Sequence, residues 1–355
     1  LLARSPKMNF VDISGFGHSG KSVITDLLRE FDGFQVPDYN FEFNLIRIQG
    51  GLIDLKHNLI DNWSPIRSDA AINRFRRLIK RIGPSATLSN PISLFLSNGM
   101  NYDHQFNGKF STLSGNYLDS LIKYKYTSEW PYPIIEESGL KQFYHRLALK
   151  LKLKDKFDRT VNLAVPENFM GSTQKYIDEL FGSIAHESTK TIVMHNAIEP
   201  FDPVPSLNLF SDCKLIVVQR DPRDIFASIY VKEGVYIPQY EKTDHWRIKR
   251  SFLNINDVEF FIKRQCLLYD KVNLLDDDHR VLRLKYEDIV LNYEETLEKI
   301  YRFLKVDKTV HSNKGHYFQP NNSIKNIGIW KKISHTPQIR MIEERMPGYC
   351  YNFTL

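Results

Sequence analysis

Gly15-Phe16-Gly17-His18-Ser19-Gly20-Lys21-Ser22 fills the phosphate-loop pattern G-x-x-x-x-G-K-[ST]. In that pattern glycines let the backbone curl until successive N–H groups point inward at an anion. The flanks are those the pattern needs. Residues 9–14 (NFVDIS) read as a short apolar strand and residues 23–31 (VITDLLREF) as an amphipathic helix. The loop then lies at a strand-to-helix junction, where the helix N-terminus adds partial positive charge. All eight loop residues are candidates to hold a phosphate. A second candidate site follows the buried-strand pattern 214–219 (KLIVVQ), where Arg220-Asp221-Pro222-Arg223-Asp224 leads into a helix beginning near Pro222. Proline in a first helical turn costs no hydrogen bond. Arg220 then stands at the carboxyl edge of the sheet and Ser228 two turns down the helix, placed to converge on one anion beside the strand. The plainer reading is a salt-bridged strand end with a capping role.

The Arg220 and Ser228 spacing of eight positions closely resembles the 3′-phosphate-binding element of the sulfotransferases that use 3′-phosphoadenosine 5′-phosphosulfate (PAPS). Two more segments fit that family in chain order. Residues 281–288 (VLRLKYED) resemble its late strand and Tyr-Glu-Asp turn, followed by a helix at 293–304 (YEETLEKIYRFL). Residues 323–331 (SIKNIGIWK) resemble its G-x-W-[KR] loop, which implies that Lys325, Asn326 and Gly328 close over the 3′-phosphate. The resemblance covers residues 9–42 and about 190–349. It implies PAPS as co-substrate, adenosine 3′,5′-bisphosphate as product and no required metal.

One departure matters. Many members of the family carry Lys or Arg immediately before Ser-Gly in the loop, whereas this chain has His18 there and its lysine at Lys21. Position 21 is where kinases and NTPases keep the lysine that reaches β- and γ-phosphates, so a P-loop kinase using ATP and Mg²⁺ is the alternative. A kinase also needs a carboxylate closing an apolar strand, and Asp221 is the only comparable one. A non-catalytic nucleotide-binding protein is the second alternative.

Sulfonyl transfer needs a cation for charge building on the leaving phosphate, a base for the acceptor proton, and positioning. Lys21 and His18 are the candidate cations. For the base, the carbohydrate and tyrosyl-protein branches of the family imply Glu42, in Asp38-Tyr39-Asn40-Phe41-Glu42-Phe43, partly desolvated by its phenylalanine neighbours. The small-molecule branch implies His195, in Val193-Met194-His195-Asn196. Glu42 is preferred, and Asp38 is the fallback carboxylate.

These residues need a scaffold. Core strands are expected near 9–14, 33–36, 190–195, 214–219 and 281–285, with helical stretches between them. That alternation predicts an α/β fold: a P-loop NTPase-like parallel sheet of about five strands with helices on both faces. At 355 residues the chain can hold one such domain over 8–355, with a largely helical acceptor-side insertion at 43–189. Within it, residues 72–82 (INRFRRLIKRI) put Ile72, Phe75, Ile79 and Ile82 on one helical face and Arg74, Arg77 and Arg81 on another. A solvated basic face is the ordinary reading. A docking face for an anionic acceptor or a peripheral contact with an acidic lipid surface is the sharper one. Residues 147–156 (LALKLKLKDK) read as an exposed strand or the end of a basic helix. Trp63, Tyr102, Tyr117, Tyr124, Tyr126, Trp130 and Tyr132 supply the aromatics a sugar cleft would need, though packing accounts for most such rings.

Lys plus Arg number 48 against 42 Asp plus Glu, an excess suited to an anionic ligand but too dispersed for nucleic acid. Three cysteines, Cys213, Cys266 and Cys350, form no C-x-x-C pair and imply neither zinc nor a disulfide framework. No apolar run is long enough to span a membrane. Met8 is a plausible start, with residues 1–7 a leader or tag remnant. The expectation is a cytoplasmic enzyme, or a Golgi lumenal one if an N-terminal anchor has been trimmed. Sequons stand at Asn62, Asn321 and Asn352, and a glycan at Asn321 would crowd the nucleotide loop, which favours the cytoplasm. The sequence therefore points to a PAPS-dependent sulfotransferase acting on a hydroxyl or amine of a carbohydrate, glycolipid or other hydroxylated acceptor.

Overall fold

The computed structural model describes residues 8–37, 41–83, 100–133, 139–151, 158–232, 258–274, 278–333 and 337–353. Asp38 and residues 152–156 lie outside them. Seven strands occur among the described residues: β1 (Asn9–Gly15), β2 (Phe34–Gln35), β3 (Ile122–Ser128), β4 (Arg159–Ala164), β5 (Thr191–His195), β6 (Cys213–Gln219) and β7 (Val281–Lys285). The chain divides into two compact units, Leu1–Asn44 with Ile184–Leu355, and Leu45–Ser183.

The first unit holds a five-stranded sheet in the order β2-β5-β1-β6-β7, every neighbouring pair parallel. Apolar runs without polar interruption occur in β5 (192–194) and β6 (215–218), as expected of strands buried on both faces. Ile13, Ile216 and Val218 are buried on one face against Ile24, Leu27, Ile289 and Ile300, which come from the helices Ser22–Leu28, Tyr286–Leu291 and Tyr293–Leu304. The last helix matches the sequence expectation because Leu297, Ile300, Tyr301 and Leu304 recur at helical spacing on its buried face. The helix after the Gly-rich loop is shorter than expected, ending at Leu28 rather than Phe31. Phe31 turns back into the core, packing against Tyr301 and His311. The Tyr286 stretch, expected as a turn, is a short helix.

Topology fixes where a ligand can sit. From β1 the chain moves to β2 and β5 on one side and then to β6 and β7 on the other, so β1 lies at the switch point where α/β sheets open a crevice at their carboxyl ends. Gly15 pairs with Val218, and Ile13 with His195. The Gly-rich loop, His195 and Arg220 are thereby brought to one edge.

The second unit is helical with one antiparallel ribbon, β3 with β4, which the sequence reading lacks. Its long helix, Pro65–Ile82, contains the helical pattern read over residues 72–82 and begins with Pro65 at its first position and Ser64 accepting from the Arg67 N–H. Ile72, Phe75, Ile79 and Ile82 are buried as the periodicity predicts. Residues 147–150 end the Gly139–Lys150 helix, the helical of the two readings. Tyr102 and Tyr117 are core residues, the second stacked on Tyr176 at 4.5 Å, whereas Trp63, Tyr124, Tyr126 and Tyr132 are exposed. No helix among the described residues is long and apolar enough to cross a membrane.

Candidate active site

The Gly-rich loop is shaped by two close approaches that exclude side chains. A Cβ on Gly15 would lie 2.5 Å from the Val218 carbonyl oxygen, and one on Gly20 would lie 2.5 Å from the Tyr286 ring. Gly20 also has φ +78°, a conformation that glycine reaches without steric cost. His18 adopts φ +63°, where a side chain costs about 1 kcal/mol or more. Phe16 is buried, 4.6 Å from the Tyr269 ring, and its carbonyl accepts from the Ser19 N–H. The Phe16 side chain is thus committed to packing. Gly17 continues the turn, Lys21 caps the helix and Ser22 begins it.

Arg220 is the link between this loop and two other segments. Its Nη1 donates to the His18 carbonyl at 3.0 Å and its Nη2 to the Asn326 carbonyl at 2.5 Å. Its guanidinium lies 4.9 Å from the centre of the Tyr286 ring, with Asp224 at 3.9 Å. Ser228 Oγ lies 3.3 Å from His18 Nδ1. The eight-residue spacing therefore does bring Arg220 and Ser228 to one place, and what they share there is His18.

The rest of the Arg220–Asp224 motif holds the surrounding loops. Asp224 is buried and accepts from the Gly328 and Trp330 N–H groups at 2.8 and 3.1 Å. Burial raises its pKa, opposed by Arg220 and those two donors. Gly328 takes φ +66°, while Lys325 and Asn326 are exposed. Asp221 accepts from the Arg223 N–H, Nε and Nη2 and from the Tyr351 N–H. Those bonds close its carboxylate in a buried ion pair and remove the one side chain expected to serve a kinase's Mg²⁺. Among the described residues no group of three His, Cys, Asp or Glu side chains is set to hold a metal ion. Glu287 accepts the Asp221 N–H at 2.9 Å, and desolvation, with the Asp221 charge adding, pushes its pKa up to about 7.

Two buried donors at this edge have no hydrogen-bond partner among the described residues: Ser19 Oγ and Arg220 Nε. Leaving such groups unmatched is costly. One anion seated in the loop would supply an acceptor to Ser19 Oγ and a second, beside the strand end, one to Arg220 Nε, so the residues present fit a ligand with two phosphates.

The candidate bases meet at the end of β5. Asn196, at φ +51°, donates from Nδ2 to Glu42 Oε1 at 2.5 Å. Glu42 is half-buried between buried Phe41 and Phe43. His195 Nδ1 lies 3.3 Å from Thr25 Oγ1. The sequence reading missed the group that orients this corner. Asp12, buried in β1, accepts the Ala197 and Ile198 N–H groups at 2.9 and 3.1 Å and the Ser14 hydroxyl at 2.6 Å. A carboxylate inside the apolar run NFVDIS was the available signal, because a buried charge requires dedicated donors.

Residues 136–327 match the family model described as sulfotransferase domain. That span takes in Arg220, Ser228, Tyr286, Lys325 and Asn326; Gly15–Ser22 precede it and Gly328 follows it. No curated protein matches the chain. Among solved structures, the chain is similar to sulfotransferase STF9 from Mycobacterium avium, with 13% identity and TM-score 0.38 over 98% of this chain and 76% of that one. It is similar to the sulfotransferase domain of the Synechococcus PCC 7002 olefin synthase, with 13% identity and TM-score 0.40 over 99% and 96%. Mouse sulfotransferase SULT7A1, complexed with PAP, has 18% identity and TM-score 0.30 over 49% and 70%.

Proposed function

We propose a reaction for this chain from its family: it belongs to the sulfotransferase domain family. The reaction is transfer of the sulfonyl group of PAPS to a hydroxyl of a carbohydrate-like acceptor. The observation that carries the nucleotide assignment is the pair of partnerless buried donors, Ser19 Oγ and Arg220 Nε, at the loop that Arg220 ties down. PAPS supplies the activated sulfur and a phosphate leaving group. The backbone N–H groups of residues 15–22 and Ser19 Oγ would hold the 5′-phosphate, while Arg220, Ser228 and the loop of Lys325, Asn326 and Gly328 would hold the 3′-phosphate.

In the transfer the acceptor oxygen forms a bond to sulfur as the bond from sulfur to the phosphate bridging oxygen breaks. Glu42 takes the acceptor proton. Asn196 donates to Glu42 Oε1, which orients the carboxylate for that role. Negative charge gathers on the bridging oxygen, where Lys21, and His18 as an imidazolium or correctly oriented tautomer, would meet it. The carbohydrate-like acceptor is supported by Glu42 standing at the position of that branch's base, half-buried between Phe41 and Phe43. The test is transfer of radiolabelled sulfonyl from PAPS to a panel of sugars, phenols and aliphatic alcohols. Label moving to a sugar hydroxyl supports the reading; transfer confined to phenols or alcohols moves the acceptor class, and no transfer to any refutes turnover.

A further inference from the structure

We propose that Glu30 is a positioning residue for the 3′-phosphate of the nucleotide, acting through the backbone that leads into the loop of Lys325, Asn326 and Gly328. This rests on the PAPS reading above and deepens it by naming what sets the preference for a 3′-phosphorylated nucleotide. Glu30 stands two residues past the Ser22–Leu28 helix, which leaves the Gly-rich loop.

The Glu30 side chain is fully buried, and four donors converge on its carboxylate. Oε1 accepts the Tyr317 and Phe318 N–H groups, both at 2.7 Å. Oε2 accepts the Gly315 N–H at 3.1 Å and the His311 Nε2–H at 2.6 Å. An ionised carboxylate accepts and cannot donate, so the His311 proton sits on Nε2, and the Tyr301 hydroxyl lies 2.9 Å from Nδ1. The main chain adds two more ties, from the Asn313 N–H to the Glu30 carbonyl at 3.3 Å and from the Asp32 N–H to the Val310 carbonyl at 2.7 Å. A buried carboxylate is costly unless its oxygens are matched. An apolar side chain would fill the same space without that cost, but it could not hold three backbone N–H groups of one segment.

That segment leads directly into the loop. Beyond Phe318 no residue from Gln319 to Ile333 is buried, so the stretch has no core of its own to place it. Its far end is held by a second buried carboxylate, Asp224, through the Gly328 and Trp330 N–H groups. Between these ends, Ile327 packs partly buried against the core, the Tyr286 hydroxyl donates to the Ser323 carbonyl at 3.3 Å, and Arg220 Nη2 donates to the Asn326 carbonyl. Asp224 belongs to the helix of Ser228, and Glu30 to the chain leaving the Gly-rich loop. The loop is therefore strung between the two elements that would hold the 3′- and 5′-phosphates. Releasing the Glu30 end leaves the backbone donors of the Gly-rich loop in place, but Lys325 and Asn326 must then be ordered at the moment of binding, which costs affinity for the 3′-phosphate.

The test is isothermal titration calorimetry of the full chain and its variants with adenosine 3′,5′-bisphosphate and adenosine 5′-phosphate, reading the ratio of the two affinities. Glu30→Ala should lower that ratio by about tenfold or more, with adenosine 5′-phosphate binding nearly kept. Glu30→Gln keeps a carbonyl for the Tyr317 and Phe318 N–H groups but turns an amide donor toward Gly315 and His311. It should rescue most of the ratio, leaving a fall of roughly threefold. Leu209→Ala, at a buried site ahead of β6, opens a cavity and should lower the melting temperature with the ratio unchanged. A Glu30→Ala ratio within about twofold of the unaltered chain's, an equal fall in Leu209→Ala, or no rescue by Glu30→Gln overturns the inference. If Glu30→Ala does not fold, Glu30→Gln decides, and a ratio equal to the unaltered chain's overturns it. A preference for the bisphosphate that the Glu30 variants retain refutes only the role of Glu30; no preference in the unaltered chain refutes the PAPS reading itself.

Discussion

Replacing Arg220 by Ala should discriminate between two adenine nucleotides that differ only at the 3′ position. Two of its donors are already committed, Nη1 to the His18 carbonyl and Nη2 to the Asn326 carbonyl, and the partnerless Nε remains. A 3′-phosphate then gains one new charge-assisted hydrogen bond, worth about 1.5–3 kcal/mol. That corresponds to roughly a 10- to 150-fold loss of affinity for adenosine 3′,5′-bisphosphate in the variant, with adenosine 5′-phosphate nearly unaffected. Isothermal titration calorimetry with both ligands reads the ratio directly. The variant also loses its bonds to two loops, so the ligand-free protein should melt at lower temperature by the equivalent of about 1–3 kcal/mol. Asp224 keeps the Gly328 and Trp330 N–H groups, which limits the damage from its lost cation. Arg220→Lys keeps the charge but not the fork and should recover only part of the affinity. Equal losses for the two nucleotides would show that Arg220 merely braces the loop.

Glu42→Gln should reduce turnover by roughly a hundredfold or more with nucleotide affinity intact, while His195→Asn should raise acceptor KM more than it lowers kcat; the reverse ranking makes His195 the base. Lys21→Ala should weaken both nucleotide binding and turnover, and His18→Ala chiefly turnover, measured under single-turnover conditions; full activity without His18 would leave Lys21 as the sole catalytic cation. Glu287 gives a pH prediction. Its folded pKa of about 7 exceeds the unfolded carboxylate value, so its contribution to stability is fully present below about 4.3 and is lost as pH rises through about 7, amounting to some 3 kcal/mol. Glu287→Gln keeps an acceptor for the Asp221 N–H and should flatten urea-melt stability between pH 5 and 8; an unchanged slope would contradict the assignment.

The sheet was legible because its strands are buried on both faces. Residues 192–194 and 215–218 are continuous apolar runs, and 10–13 is interrupted only by Asp12, the pattern of short parallel strands. The β3–β4 ribbon was not legible: β3 is Ile-Lys-Tyr-Lys-Tyr-Thr-Ser, exposed along most of its length, so no buried face imposes a pattern on it. At the site, loop glycines and the Arg-Ser spacing were visible because local backbone and helix geometry demand them. The partners of those residues were not, since they are set by tertiary contact. Nothing in the neighbourhood of Gly20 announces that the Tyr286 ring fills the space where its side chain would be, nor that Asn196 in the left-handed region reaches back to Glu42. Glu30 illustrates the same limit. It lies in the stretch read as an amphipathic helix and is buried, where burial alone would raise its pKa. The Phe318, Tyr317 and Gly315 N–H groups and the His311 ring outweigh that and hold it low.

Thermal denaturation of the unaltered chain with adenosine 3′,5′-bisphosphate, compared with ATP plus Mg²⁺, tests the central assignment most directly. A ligand that binds only the native state at a hundred times its Kd adds about 2.7 kcal/mol, which for a chain of this length is a rise of about 3–4 °C in Tm. The account predicts that rise with the bisphosphate, with or without Mg²⁺, and a much smaller one with ATP and Mg²⁺. A shift produced by ATP and Mg²⁺ alone would contradict it and return the Gly-rich loop to a kinase.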